Sequence, residues 1–102
     1  MKTVIVHPDA EIEIEQSADF YEARRTGYGE RFRAAMARAL RQIGATPKAF
    51  VVYKGGPARR RLLKGFPYAV YFVETDSDVH LIAVYNQRSK PDAWADRLKD
   101  VQ

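Results

Sequence analysis

The stretch from Gly55 to Glu74, GGPARRRLLKGFPYAVYFVE, sets three consecutive arginines and a lysine directly before an aromatic, alternating run. Arg59 to Lys64 reads as an extended strand broken by Gly65, and YAVYFVET (68–75) as a second strand. Asp76-Ser77-Asp78 then makes a tight hairpin connection to VHLIAVYN (79–86). In the first of these long runs Tyr68, Val70 and Phe72 share one face, and Ala69, Tyr71 and Val73 the other. In the second, strict alternation sets Leu81, Ala83 and Tyr85 against Ile82 and Val84. Both faces are apolar, unlike those of a sheet wetted on one side. Each face therefore needs a cover.

Upstream of the meander, AFVVYKG (49–55) is a short apolar piece ended by Gly55-Gly56-Pro57. Before it lies a clear amphipathic helix. Phe32, Met36, Leu40 and Ile43 recur at helical spacing with Ala35 and Ala39 beside them, and Arg31, Arg33, Arg38 and Arg41 fall off that stripe. Gly44 and Pro47 stop it. Thr26-Gly27-Tyr28-Gly29 is a turn, and ahead of it Pro8 opens another helix at roughly 8–25. Its acids sit early and its arginines late, as the helix dipole favours. AEIEIEQ alternates as a strand would, but Pro8 and the acid-rich first turn decide for helix, with Ile14, Ala18 and Tyr21 on one face. A turn this short makes the two helices an antiparallel hairpin. The hairpin covers one sheet face; the C-terminal PDAWADRL segment, a partner, or both must close the other. TVIV (3–6) reads as a first strand.

The expected fold is thus α+β. An N-terminal strand and an antiparallel helical hairpin pack on a small antiparallel β-meander, followed by a short C-terminal helix. One domain accounts for all 102 residues, with 46% hydrophobic content for its core. The chain has no cysteine, which excludes a disulfide framework and thiolate metal sites and fits a cytoplasmic location. No run approaches the roughly 20 apolar residues of a membrane span, and the N-terminal run is too short for a signal peptide.

The net charge of +4 is unevenly spread. Residues 1–23 balance at −5, residues 24–64 carry twelve Lys/Arg against Glu30 alone, and residues 65–102 balance at −2. A middle segment this basic points to a polyanion or an acidic partner, or to a solvated helix face.

The ordered set RRRLLKGFPYAVYFVE, then HLIAVYNQRSKPDAW, preceded by VHPDAEIEIEQSADFYEAR and GYGERFRAAMARALRQIGATP, resembles the RelE/ParE toxin superfamily of bacterial type II toxin–antitoxin systems. The resemblance spans nearly the whole chain. Its most specific part is the basic strand, then Phe66-Pro67-Tyr68, the apolar strand and the Pro91-to-Trp94 spacing. It implies a growth-inhibiting toxin held inactive in a hetero-oligomer by a cognate antitoxin. ParE-like members poison DNA gyrase and block replication; RelE-like members enter the ribosomal A site and cut mRNA. Where the family commonly has a histidine after the last strand and an arginine two residues before the proline, this chain has Asn86 and Ser89, with Arg88 one place earlier. A member that has lost its target and only binds antitoxin is a third reading.

Neither a cofactor nor a metal is expected. His7 and His80 lack paired-ligand spacing, and no Ser–His–acid arrangement or Gly-rich phosphate loop is legible. His7 reads as a helix cap and His80 as a strand residue. The partner-binding candidates are Arg59, Arg60, Arg61, Lys64, Tyr85 and Arg88, because arginine's planar fork grips carboxylate or phosphate in a bidentate manner. The alternative for the three arginines is a charged edge strand that deters edge-to-edge pairing. A metal-independent ribonuclease would draw its charge from Arg61, Lys64 and Arg88 and a hydroxyl from Tyr85. The resemblance implies that a RelE-like ribonuclease carries a tyrosine or other proton-transfer group near the C-terminus; the tail ADRLKDVQ after Trp94 offers none, which tilts the reading towards binding without catalysis. Trp94 is expected to anchor the last helix on the sheet.

Overall fold

The computed structural model describes residues 1–89 and 93–101. Pro91, and with it the Pro91-to-Trp94 spacing, lies outside the described residues. The elements are β1 (Thr3–Val6), α1 (Pro8–Arg24), α2 (Tyr28–Ala45), a single 3-10 turn (Pro47–Ala49), β2 (Val51–Val52), β3 (Arg59–Leu62), β4 (Tyr68–Glu74), β5 (Asp78–Asn86) and a C-terminal 3-10 helix (Ala95–Asp100). They form the expected α+β arrangement, with one sheet ordered β1-β5-β4-β3-β2.

α1 begins where its sequence says it should. His7 is its N-cap, with Nδ1 accepting from the Asp9 backbone N–H at 3.1 Å, and Pro8 follows at the first position. α2 starts differently, because its N-cap Gly27 has φ 91° and no side chain to cap with. Glu22 of α1 supplies the acceptor instead, taking the backbone N–H groups of Gly27 at 3.1 Å and Gly29 at 3.0 Å. The helices touch closely at Gly29, where a Cβ would lie 2.8 Å from the carbonyl oxygen of Ala18. That contact explains a glycine in the first turn of a helix.

The sheet is mixed, a detail the meander alone did not announce. β1 runs parallel to β5, with Thr3 opposite Asp78 and Val6 opposite Leu81. The other three pairings are antiparallel. The long connection that a parallel pairing requires holds the helical hairpin and the strands β2 to β4.

The hairpin covers one face of the sheet. Phe32, Met36, Ala39 and Ile43 of α2 and Ala10 and Ala18 of α1 bury against Tyr68, Val70, Phe72, Val79, Leu81 and Val84. On the outer face Ala69, Tyr71, Val73, Ile82 and Ala83 pack with Trp94. The C-terminal segment thus closes part of the outer face, and Trp94 is its anchor at 4.5 Å from the Tyr71 ring.

Strict alternation along β5 does not hold. The register slips between Tyr71 and Phe72, whose partners are Ala83 and Leu81, so Ile82 is an extra residue on β5. A β-bulge of this kind leaves one residue unpaired and shifts the face of those beyond it. Ile82 and Ala83 consequently both lie on the outer side, and Val84 joins Leu81 on the helix side. No helix among the described residues is long and apolar enough to cross a membrane.

Candidate functional site

The cross-strand register divides the arginines of β3 between the two faces. Arg60 lies opposite Val51 and Tyr71, and Tyr71 opposite Ala83, which makes one row on the outer face. Leu62, Ala69 and Tyr85 make the next. Between the rows opens a cleft of about 150 Å³ lined by Tyr53, Arg60, Tyr71, Tyr85, Asn86, Gln87 and Ser89. The Arg60 guanidinium stands 5.5 Å from the centre of the Tyr53 ring, and that ring meets Tyr71 edge-on at 5.0 Å. Among the described residues of its wall, Arg60 is the sole charged group; the rest offer phenol, amide and hydroxyl.

Arg59 and Arg61 lie on the other face. Arg59 Nη1 donates to the Phe50 carbonyl at 2.7 Å. Arg61 lies 5.9 Å from the Phe50 ring and donates through Nε and Nη2 to the Gln42 side-chain oxygen, and through Nη1 to the Leu62 carbonyl at 2.9 Å. Burial lowers its pKa from the usual guanidinium value, and the like charge of Arg38 adds to the effect. Lys64 is exposed in the β3–β4 connection. Arg88 is exposed in the turn after β5, its backbone N–H held by Asn86 Oδ1 at 2.9 Å. The six candidate residues therefore do not form one patch. Arg60 and Tyr85 share the outer cleft, Arg61 lies beside α2, Arg59 is held by the Phe50 carbonyl, and Lys64 and Arg88 join neither group.

A second cleft, of about 210 Å³, opens at the same end of β5 on the helix side. Its walls are Glu13, Gln16 and Ser17 of α1 with Tyr68, Val84, Tyr85, Asn86 and Ser89. Tyr85, Asn86 and Ser89 wall both clefts, so the end of β5 is a partition between them. Glu13 and Arg97 hold that partition in place. Arg97 pairs with Glu13 through both terminal nitrogens, at 3.0 and 2.6 Å. Glu13 raises the Arg97 pKa, mainly through this hydrogen bonding. The Arg97 guanidinium also lies 5.7 Å from the Tyr85 ring. Sequence reasoning missed this pair, for which spacing gives no signal across 84 residues. It also missed Tyr53, which reaches the cleft only because β2 folds back on β3.

A larger, mostly apolar groove of about 520 Å³ lies by β1 on the outer side, with Ile5, His7, His80, Ile82, Asp100 and Val101 in its wall. His7 Nδ1 is occupied as an acceptor by the cap, so Nε2 carries the proton of the neutral ring and donates to Asp100 Oδ2 at 2.7 Å. His7 thus belongs to the packing at this end of the sheet, and His80 lines the same groove. Among the described residues no group of three His, Cys, Asp or Glu could hold a metal ion.

No protein-family model matches the chain. Nor does any curated protein. Among solved structures, a chain of the "Chromosomal ParDE TA system from P. aeruginosa" superposes with a TM-score of 0.70 at 11% identity, over 84% of this chain and 96% of that one. At that identity the likeness establishes a shared fold alone.

Proposed function

We propose that the chain is the toxin of a type II toxin–antitoxin pair, neutralised by a cognate antitoxin, and that it acts by binding DNA gyrase and blocking replication rather than by cutting RNA. The observation that carries the toxin reading is the fold shared, over most of both chains, with a component of a ParDE toxin–antitoxin system. The ordered motifs from Arg59 to Trp94 point the same way.

Two features of the outer face support grip over catalysis. The first is the chemistry of the Arg60 cleft. Its described wall has one permanent cation and three phenols, with no carboxylate or imidazole. Cutting RNA without a metal needs a group that takes a proton from the 2′-hydroxyl and one that returns it. The second is the company Arg60 keeps. Val51, opposite it, is 72% exposed, and Leu62, two residues on, 51% exposed. An arginine beside exposed aliphatic side chains and a tyrosine-lined cleft suits a protein partner, because arginine and tyrosine are enriched among the residues that carry most of the binding energy.

The second reading is a RelE-like, ribosome-dependent mRNA endonuclease. In its favour, the Tyr85 hydroxyl and the Arg60 guanidinium share one cleft. Inducing the chain in a bacterial host tests the toxin assignment. Growth should arrest, and co-expression of the short reading frame adjacent to its gene should restore growth. Unimpaired growth at high expression of folded protein would refute it.

A further inference from the structure

The exposed ridge of α2 carries charge of a different kind from the outer cleft. Arg31, Ala34, Arg38, Arg41 and Ala45 recur at helical spacing, and all five are exposed. From Arg31 to Arg41 the ridge runs about 15 Å at 1.5 Å per residue. Arg61 of β3 joins it, held beside α2 by Gln42 and near enough to Arg38 to feel its charge.

Among the described residues these cations have no neutralising partner, unlike others of the chain. Arg33, on another side of α2, pairs with Glu15 at 2.9 Å and with Asp19 at 3.8 Å, and Lys48 pairs with Glu74 at 2.6 Å. Among the described residues Arg31, Arg38, Arg41 and Arg61 form no ion pair with a carboxylate. Arg61 donates to a side-chain amide and a backbone carbonyl, neutral acceptors that fix the guanidinium while leaving its charge unspent. Two like charges, one of them partly desolvated, oppose one another, and an arriving anion would relieve both.

The ridge also lacks what a protein partner needs. The exposed large apolar residues are Met1, Ile5, Ile12, Phe20, Val51, Val52 and Leu62, and none of them is on α2. Between the arginines stand alanines, which let a polymer backbone come close without giving an apolar anchor. Protein interfaces concentrate energy in buried aromatic and aliphatic anchors, whereas contact with nucleic acid backbone is electrostatic and sequence-independent. We infer that the α2 ridge, with Arg31, Arg38, Arg41 and Arg61, is a sequence-independent binding surface for the phosphate backbone of duplex nucleic acid. The ridge lies apart from the Arg60 cleft, and the inference does not depend on the toxin reading.

The test is fluorescence anisotropy of the full chain with labelled 20-base-pair duplexes of DNA and of RNA, each titrated at several salt concentrations. Four phosphate contacts predict a slope of log affinity on log salt of about −3.6 on DNA, or a loss of about 150-fold between 50 and 200 mM salt. Arg38→Gln with Arg41→Gln should reduce the slope by about 2 and the loss to about 10-fold. Arg33→Gln, on the neutralised side, should change neither, and circular dichroism should show all variants folded. Salt-dependent binding of either duplex that Arg38→Gln with Arg41→Gln weakens supports the surface, and the duplex bound more tightly identifies its source. A slope near zero overturns it, as does a double variant that binds like the wild type. Tighter binding of poly-glutamate than of both duplexes at equal charge also overturns it.

Discussion

Glu13 on α1 and Arg97 in the C-terminal 3-10 helix meet as a bidentate pair beside the bulge of β5, and between them they satisfy two backbone groups of β5 beyond the end of its pairing with β1. Glu13 Oε1 accepts from the Val84 backbone N–H at 3.0 Å, and Arg97 Nη1 donates to the Ile82 carbonyl at 3.1 Å. A buried backbone group left unpaired costs about 1–3 kcal/mol, so the pair stabilises this stretch of β5. It also ties the C-terminal helix and α1 to the end of β5 where both clefts open. Both side chains are less than one-fifth exposed.

Removing one partner should therefore cost more than a surface ion pair would. Arg97→Ala leaves Glu13 without its counter-charge and the Ile82 carbonyl without its donor. The expected loss is about 2–3 kcal/mol, well above the about 0–1 kcal/mol typical of exposed pairs. Chemical denaturation checks this, and Glu13→Gln combined with Arg97→Ala should cost less than the two single losses together.

Trp94 is the anchor of the outer face at 3% exposure, so Trp94→Ala should destabilise by about 3–5 kcal/mol. For a chain of this size that lowers the Tm by 12 °C or more at roughly 4 °C per kcal/mol. Trp94→Phe should keep most of the stability. Calorimetry of the two variants decides whether this indole closes the face or merely rests on it.

Glu74 makes stability depend on acidity. Hydrogen bonds from Lys2 and Lys48, at 2.8 and 2.6 Å, lower its pKa to about 2 from 4.5. A carboxyl depressed in the folded state contributes stability that is complete above its unfolded pKa and lost as pH falls through its folded one. Its contribution should be full above about pH 5 and should disappear between 4.5 and 2. Glu74→Gln should lower the Tm at pH 7 and flatten the fall in Tm across that window. A variant with an unchanged acid limb would show that the two lysines do not set this carboxyl.

Much of the fold is readable from local pattern. The period of α2, Pro8 at the start of α1, and the apolar runs of β4 and β5 each name an element, because one residue's neighbours decide them. What stays hidden depends on distant residues. The parallel pairing of β1 with β5 joins positions some 75 apart, and the bulge at Ile82 reverses an alternation that looks regular on paper. The site divides in the same way. Alternation correctly separates Arg60 from Arg59 and Arg61, whereas Arg60 meeting Tyr53 depends on β2 folding back, and Glu13 meeting Arg97 on the tail's return.

That separation gives a direct comparison. Arg60→Ala should reduce target affinity by about 30-fold or more if this arginine is a binding anchor, with stability within about 0.5 kcal/mol of wild type. Arg61→Ala, which loses its bonds to Gln42 and Leu62, should lower stability instead and leave target affinity nearer wild type. Titration calorimetry with the target subunit, alongside thermal melts, separates the two residues.

The central claim is that this chain grips its target and does not cut RNA. The most direct measurement adds the purified protein to a gyrase supercoiling reaction and to a ribosome-programmed translation reaction with mapped mRNA ends. The account predicts inhibited supercoiling, lost with Arg60→Ala, and intact message. Ribosome-dependent cleavage of the message with supercoiling untouched would contradict it.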